Sequence, residues 1–513
     1  MKYPLHNGSG SAPWRRHFAC RVETHLDPCL RAPAKHRHEC RRGRLGVCAT
    51  IAAGLAFAQA PVALRVTAND LKADVSFLAS DALEGRATPS KGLDIAAEFI
   101  ASQFRRAGLE PAGDDGYFQT AAFWSVKPNL DGLELTLDIG GQKFTVDRAS
   151  MAIGQQVAAS LDSAPVLRIA ANDSPSLTPD QARGKALLIE AARAPAAAAN
   201  WAPAITILIA NQGPRETPGR AILRDASAPA PSAPTVLVWD AAVRGALAAA
   251  PDAEIKVSAR IPAPTAEPVK LRNVAGILRG ADDALKDTYL VLTAHYDHLG
   301  IRPNGEGDRI YNGANDDASG TASLIEIGRA LSALPAKPKR SIVFIALFGE
   351  EVGEIGSLYY VRHPLFPLTR TIADINLEQL GRTDDSAGPK LLQFNLTGFG
   401  YTTLAETFQK AAEQVGVRTV NDEKSGDAYF ARSDNARFAD AGVPSTTISV
   451  AYMFPDYHAV GDEWPKLDYD NMAKVDCAVA LAALDLADSA AAPRWNAEEP
   501  KTARYVKARE ADK

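Results

Sequence analysis

The sequence predicts an α/β protein: a mixed, mainly parallel β-sheet flanked by helices, with a smaller β-rich domain inserted into it. From residue 270 onward, nearly continuous apolar strands alternate with amphipathic helices, the pattern of a parallel sheet covered on both faces. Between residues 129 and 268 the chain is instead rich in Ala and Pro and carries only short β-like runs. A chain of 513 residues also exceeds one ordinary domain.

The first 60 residues differ from the rest in charge. They hold ten Lys and Arg against three Asp and Glu, although the whole chain has a net charge of −5. The basic run Arg41–Arg44 precedes the apolar run Leu45–Phe57, which is followed by Ala58–Ala60. A basic segment, an apolar segment and a small-x-small triplet are typical of a secretory signal. We therefore predict an N-terminal extension and signal peptide over residues 1–60 and a periplasmic or extracellular protein; a buried N-terminal helix is the alternative.

Cysteine usage follows the same division, because Cys477 alone among five cysteines lies beyond that segment. Export without disulfides predicts a mature fold that depends on its core and on metal. No run of 18 apolar residues occurs, so we expect no membrane-spanning helix in the mature chain.

The elements follow in order along the chain. Residues 66–125 predict a helical entry, with helices over Asp70–Leu83 and Leu93–Leu109. Residues 129–268 predict short strands, and Pro262–Pro268 is interpreted as a linker. Further on we predict four strands and two helices: Tyr289–Ala294, Ser341–Phe348, Ile372–Leu377 and Thr446–Val450, then Thr321–Leu334 and Asp470–Ala487. Residues 491–513 are polar and are expected to form a surface tail.

Histidine and acidic side chains follow the carboxyl ends of these strands, where open α/β sheets bind ligands. Imidazole nitrogen mixed with carboxylate oxygen suits zinc. One acid more than coordination requires suits a hydrolase, in which a general base stands beside the attacking water. The candidate residues are His295, Asp297, Asp316, Glu350, Glu351, Glu378 and His458.

Each motif also has a plain structural interpretation. His295 and Asp297 leave a strand end on the same side, so they form either a metal ligand with its support or a capped histidine. His298 would face away and is interpreted as structural. In the loop Gly313–Gly320 we expect Asp317 to help cap the following helix.

The remaining acids leave similar alternatives. Glu350 and Glu351 are adjacent, so one can bind metal while the other reaches water, unless the loop is simply a solvated acidic loop. Asp374 rivals Glu378, but it lies in mid-strand, further from the sheet edge.

Together these motifs resemble zinc peptidases of family M28, the aminopeptidase Y and glutamate carboxypeptidase group. The matching motifs are His295-x-Asp297, Gly313-x-Asn-Asp316-Asp-x-Ser-Gly320, Glu350-Glu351, Asn376-Leu-Glu378 and Tyr457-His458. The segment from Leu78 to Arg86 also resembles the N-terminal part of that family. The resemblance covers roughly 66–128 and 269–490, which would form one discontinuous catalytic domain with the zinc exopeptidase fold. The segment 129–268 takes the place of an inserted protease-associated domain.

The resemblance implies two zinc ions per chain. One would be held by His295, Asp316 and Glu378, and the other by Asp316, Glu351 and His458, so that Asp316 bridges them. Glu350 would be the general base, and Asp297 would support His295. The chain departs from the family at Glu378, where Asp is usual, and at Asn435, where relatives often have His.

The function that the resemblance implies is hydrolysis of peptide substrates by a secreted exopeptidase, an aminopeptidase in the first place. A carboxypeptidase would need a cation for the terminal carboxylate, and Arg382 and Arg432 are candidates. A glutaminyl cyclase-like acyltransferase with one working zinc and a non-catalytic binding relative are further alternatives. We expect no nucleic-acid partner, and the sequence does not indicate an oligomeric state.

Overall fold

The computed structural model describes residues 66–169, 178–193, 201–213, 221–421 and 423–511. The predicted extension and signal peptide, residues 1–60, lie outside the described residues. Across the described ranges, no helix is long and apolar enough to cross a membrane.

The main sheet has ten strands and confirms the predicted α/β class. Its four central strands pair in parallel, and each of them is buried along its whole length. Antiparallel strands flank them, so the sheet is mixed. In spatial order its strands are Arg418–Val420, Gln393–Leu396, Ser445–Ser449, Thr371–Leu377, Tyr289–His295, Ser341–Leu347, Thr265–Leu278, Phe118–Lys127 and Ile222–Asp225, and Glu110–Pro111 pairs with Thr265–Leu278.

Helices cover both faces of this sheet. One face packs against the longest helices and forms the larger core. The other face packs against Tyr360 and Phe438 from two shorter helices. The α-helices are Ala68–Leu78, Lys91–Ala107, Pro179–Ala182, Ala241–Ala249, Gly320–Ser332, Ile355–Arg362, Leu404–Gln414, Glu423–Tyr429, Asn435–Asp440, Tyr469–Asp488 and Ala503–Ala511.

A second sheet of eight strands is built from residues between 134 and 261. Its own apolar core runs from Leu133 to Ile261, and Ala159–Ile169 begins a run of four parallel strands. In spatial order the strands are Gln142–Thr145, Glu134–Ile139, Ile255–Ile261, Ala159–Ile169, Ala186–Ile189, Ile205–Ile209, Thr235–Val238 and Met151–Gln155. One strand of this region, Ile222–Asp225, instead extends the main sheet.

Two sequence expectations differ from the structure. Pro262–Pro268 is not a free linker, because the strand Thr265–Leu278 begins inside it and pairs with Phe118–Lys127. Pro268 fits there because this half of the strand has a partner on one side only.

The expected polar tail is packed against the domain. Residues Ala503–Ala511 form a helix, and Tyr505 stacks on Trp495 with a centroid distance of 4.8 Å. Both rings are buried with Phe430, so aromatic burial outweighs the polar character of this segment.

Candidate metal centre

The candidate residues meet at the carboxyl edge of the four parallel strands. His295 is the last residue of its strand, Glu378 directly follows another, and Glu350 and Glu351 come three and four residues after Leu347. His458 lies nine residues beyond the strand Ser445–Ser449. Because parallel strands end at one edge, residues far apart in sequence are brought together there.

Asp316 lies at the centre of the cluster. Its Oδ1 lies 3.3 Å from His295 Nε2, and its Oδ2 lies 3.1 Å from His458 Nε2. Glu351 Oε2 lies 3.4 Å from the same His458 nitrogen. Glu378 completes the other side, since one ligand atom each of His295, Asp316 and Glu378 fall within 4.8 Å of one another. The Asp316 carboxylate therefore lies between two groups of candidate ligands, one with His295 and Glu378 and the other with Glu351 and His458.

The loop that carries Asp316 has an unusual backbone. It starts at Gly313, which has φ 58°, and a Cβ there would lie 2.3 Å from the Asp316 carbonyl oxygen. The Asp316–Asp317 peptide bond is cis. Asp317 Oδ1 accepts hydrogen bonds from the amides of Gly320 (3.0 Å) and Gln379 (3.1 Å). Asp317 thus holds the start of the helix, as the sequence suggested, and also ties this loop to the segment after Glu378.

The donor set fits a cation. His295 Nε2 is buried without a hydrogen-bond partner among the described residues. The pKa of Glu378 is raised to about 7, mainly by burial; the charge of His295 opposes the rise, and the negative charges of Asp316 and Glu351 contribute to it. Burial also favours neutral Asp316, yet the adjacent imidazoles of His295 and His458 lower its pKa well below the usual range. Carboxylates held this close repel one another unless a cation lies between them.

Asp297 lies behind His295 and also contacts two other elements. Its Oδ1 lies 3.5 Å from His295 Nδ1 and accepts a hydrogen bond from the Glu350 amide at 3.1 Å. Its Oδ2 accepts a hydrogen bond from Thr88 Oγ1 at 2.9 Å. Asp297 therefore holds the backbone of the Glu350 loop as well as lying beside the histidine.

His298 does not face away from the site, so that expectation was wrong. It is buried, and its Nδ1 lies 2.8 Å from Glu351 Oε1. The alternation of a strand ends at His295, and the next residues form a loop in which the His298 amide donates to the Arg86 carbonyl oxygen. His298 thereby fixes Glu351 with its other oxygen towards His458.

Two other residues from the sequence analysis lie outside the cluster. Asp374 accepts a hydrogen bond from Thr293 Oγ1 at 2.9 Å within the sheet. Asn435 donates to the Phe430 carbonyl oxygen and accepts from Thr447 Oγ1, which is a structural role.

A small pocket, with a volume of about 30 Å³, opens beside Glu378. Tyr429 and Tyr452 stack in its wall with a centroid distance of 4.5 Å, and Arg432 lies over Tyr429 at 4.9 Å. The lining residues are Glu378, Gln379, Thr397, Tyr429, Arg432, Ser433, Thr447, Ser449, Tyr452 and Tyr457. The sequence analysis named Glu378, Arg432 and Tyr457 among these residues. It did not find Tyr429 and Tyr452, because they belong to no recognisable motif.

Parts of the chain are similar to known proteins. Residues 273–483 match the model of peptidase family M28. The matched region, which is less than half of the chain, belongs to that family. The chain is 31% identical over 175 residues to aminopeptidase YwaD of Bacillus subtilis, in an alignment that covers 34% of each protein. It is 33% identical over 170 residues to a probable zinc metalloprotease of Pyrenophora tritici-repentis, covering 32% of this chain and 33% of that one. The aligned stretch thus spans about a third of the length of these relatives.

A solved structure also shares the fold. The aminopeptidase from Aneurinibacillus sp. strain AM-1 superposes with a TM-score of 0.54 at 20% sequence identity. The superposition covers 86% of this chain and 97% of that structure, so the likeness extends beyond residues 273–483.

Proposed function

We propose that this chain is an exported zinc-dependent exopeptidase that removes N-terminal residues from peptide substrates. The position of Asp316 carries the proposal: its two carboxylate oxygens each face a histidine nitrogen, at 3.3 and 3.1 Å. An acid that faces two sets of donors suits a pair of metal ions.

Two zinc ions would be held by five residues. One set is His295, Asp316 and Glu378, and the other is Asp316, Glu351 and His458. Bound zinc supplies Lewis-acid polarisation of a carbonyl oxygen and lowers the pKa of water. The names of the curated relatives, an aminopeptidase and a zinc metalloprotease, support the choice of metal.

Glu350 is the proposed general base. Its amide is held by Asp297, which places the side chain at the edge of the cluster. Burial raises its pKa well above the usual range, and Glu378 and Glu351 add to the rise while His295 opposes it. A carboxylate with a raised pKa takes the proton of the attacking water and later returns it to the leaving amine.

The test of this role is Glu350→Gln, with Glu354→Gln as the control on the same loop. Glu354 forms an ion pair with Arg437 at 2.8 Å and does not belong to the cluster. We expect Glu350→Gln to retain zinc and to lose about 10²–10⁴-fold in kcat. Near-normal turnover in Glu350→Gln would remove it from the role of base.

The acidic side chains around the candidate site favour an aminopeptidase over a carboxypeptidase. Glu378 lines the pocket, where its carboxyl oxygens can accept hydrogen bonds from the α-amine of a substrate. Arg382 is already occupied, since it donates to both oxygens of Asp384 at 2.7 Å and to Asp456 at 2.8 Å.

Arg432 is the residue that supports the carboxypeptidase alternative. It is exposed, lines the pocket beside Glu378, and within the described part of the chain it forms no ion pair. A substrate carboxylate entering the pocket would meet this guanidinium.

A panel of substrates separates these activities. Purified mature chain is assayed on free-amine, N-blocked and C-blocked peptides, with zinc content measured alongside. Cleavage of free-amine substrates only, lost with chelator and restored by zinc, is the expected result. Cleavage that requires a free C-terminus would assign a carboxypeptidase. Two bound zinc ions without any cleavage would point to cyclase chemistry or to a binding protein.

We also propose that residues 66–128 and 269–490 form the peptidase domain and that 129–268 form an inserted domain of the protease-associated type. The separate eight-stranded sheet and its own core support this division. If the insertion controls access, its deletion should change the preference for peptide length. An unchanged preference would show that it does not.

The proposed export has its own test. Residues 1–60 carry the signal pattern, so secretion should be followed with the full chain and with Ala60→Asp. Mature protein that begins at residue 61 is expected from the full chain. Retention of the unprocessed chain inside the cell would contradict the proposal.

A further inference from the structure

Asp462 lies four residues after His458 and is fully buried. The intervening residues form a compact turn, in which the Ala459 amide donates to the Asp456 carbonyl oxygen and the Asp462 amide donates to that of Ala459. Asp462 is therefore connected to His458 by a short, hydrogen-bonded segment.

The Asp462 side chain binds the loop of Asp316. Its Oδ1 and Oδ2 both accept from the Asn315 amide at 3.0 Å, and Oδ2 also accepts from the Asp316 amide at 3.0 Å. Its backbone carbonyl oxygen accepts from the Ala314 amide at 3.1 Å. Asp462 thus accepts hydrogen bonds from three consecutive backbone amides of the loop. Hydrogen bonds from backbone amides to a buried carboxylate are among the stronger ones.

Arg86 holds the same loop from its carbonyl side. Its Nη1 donates to the Asn312 carbonyl oxygen at 2.7 Å, and its Nη2 donates to that of Gly313 at 2.9 Å. The backbone amides of the loop are therefore held by the Asp462 carboxylate, and its carbonyl oxygens are held by the Arg86 guanidinium. Its freedom to shift the Asp316 carboxylate is small.

His458 needs such an anchor more than His295 does. A metal-binding histidine is usually oriented by a partner on its second ring nitrogen. For His458 no described residue hydrogen-bonds Nδ1, and the ring is instead stacked on Tyr457 at a centroid distance of 4.0 Å. The side chain is 37% exposed. Its position is set by the backbone of its own loop, which Asp462 ties to the loop of Asp316.

We propose that Asp462 is a positioning residue that fixes the spacing between His458 and Asp316 and so sets the affinity of the second metal site. The proposal rests on the two-zinc site argued above. The first site, with His295 and Glu378, is attached to strand ends and depends less on this contact.

The test is Asp462→Asn, which keeps the volume but removes one acceptor oxygen and the charge. Loss of the acceptor oxygen and loss of the negative charge should each lower the affinity for a cation. The matched control is Asp240→Asn, because the Asp240 side chain also accepts hydrogen bonds from two backbone amides, those of Ala242 and Val243, but at the start of the helix Ala241–Ala249. Zinc is added stepwise to metal-free full chain in competition with a chelator. Cobalt(II) absorption reports the ligand geometry independently of activity.

We expect the affinity for the second zinc to fall about 10–100-fold in Asp462→Asn, the first to change by a few-fold at most, and the control to match the wild type. An unchanged second affinity, an equal loss at both sites, or the same loss in the control would overturn the proposal. A wild type that binds no zinc would instead refute the metal site itself. If Asp462→Asn does not fold, Asp462→Glu moves the carboxylate by one methylene, and unchanged affinity there also overturns the proposal.

Discussion

Asp74 on the helix Ala68–Leu78 should make the stability of this protein depend on pH. It is 6% exposed, and its Oδ2 has no hydrogen-bond partner among the described residues. Its pKa is raised from 3.8 to about 7, mainly by burial and also by the charge of Glu326, while Arg106 and Arg329 oppose the rise. The neutral acid is therefore favoured in the folded state, and the ionised acid is favoured in the unfolded chain.

The sign and the size of the effect follow from these two pKa values. Because the folded-state pKa is the higher one, the stabilising contribution of Asp74 is complete below pH 3.8 and is lost as the pH rises to about 7. A shift of about three units at about 1.4 kcal/mol each gives an upper bound of about 4 kcal/mol. Asn cannot ionise, so Asp74→Asn should escape this loss. Its advantage over the wild type should grow between pH 4 and 7 and be constant above pH 8.

The measurement is the denaturant midpoint of metal-free wild type and Asp74→Asn at pH 5 and pH 8. Chelator in both samples keeps metal binding out of the comparison. Asp70→Asn is the control on the same helix, because hydrogen bonds and charge lower the pKa of Asp70 despite burial, so its replacement should destabilise at pH 8. An advantage of Asp74→Asn that is the same at both pH values, or a more stable wild type at pH 8, would refute the reasoning.

Three further results are expected at the metal centre. His298→Gln should weaken zinc binding about 10–100-fold, since Glu351 loses its 2.8 Å partner, whereas exposed His363→Gln should not; equal affinities in a chelator competition would contradict this. Glu378→Asp, which introduces the residue usual in the family, should retain two zinc ions with activity within about tenfold of the wild type, while Glu378→Gln should lose one ion on elemental analysis. Removal of zinc should lower Tm and its return should restore it, because binding at about 1,000 times Kd stabilises by about 4 kcal/mol; a Tm indifferent to zinc would contradict the site.

The sequence predicted most of the fold because two of its central strands are nearly continuous apolar runs. Ser341–Leu347 and Tyr289–His295 are buried along their whole length, so no alternation confuses their assignment. The ligand motifs could be brought together for the same reason, since parallel strands end at one edge. Where the pattern depended on local polarity it failed: the last helix is polar in sequence but is held by Tyr505 against Trp495.

The residues that hold the candidate ligands in place, such as His298 and Asp462, were harder to predict from the sequence. The argument for His298 assumed strand alternation beyond His295, where the chain already leaves the sheet. Asp462 has no motif of its own, and its role depends on a contact with Asn315 across 147 residues. Such contacts are decided by tertiary packing, which spacing in one chain does not encode.

Arg86 shows how far the site extends beyond residues 273–483. It is fully buried, and besides Asn312 and Gly313 it donates from Nε to the Tyr296 carbonyl oxygen at 2.8 Å. The segment that carries it is fixed closely, because a Cβ on Gly85 would lie 2.4 Å from the Tyr311 carbonyl oxygen. Burying a guanidinium is costly, and here its acceptors are neutral carbonyls flanked by ligand-bearing loops. Without this segment those carbonyls would be buried and unpaired next to a cluster of negative charge. The N-terminal motif therefore belongs to the candidate metal centre, because it holds the loop of Asp316, although it supplies none of the proposed ligands.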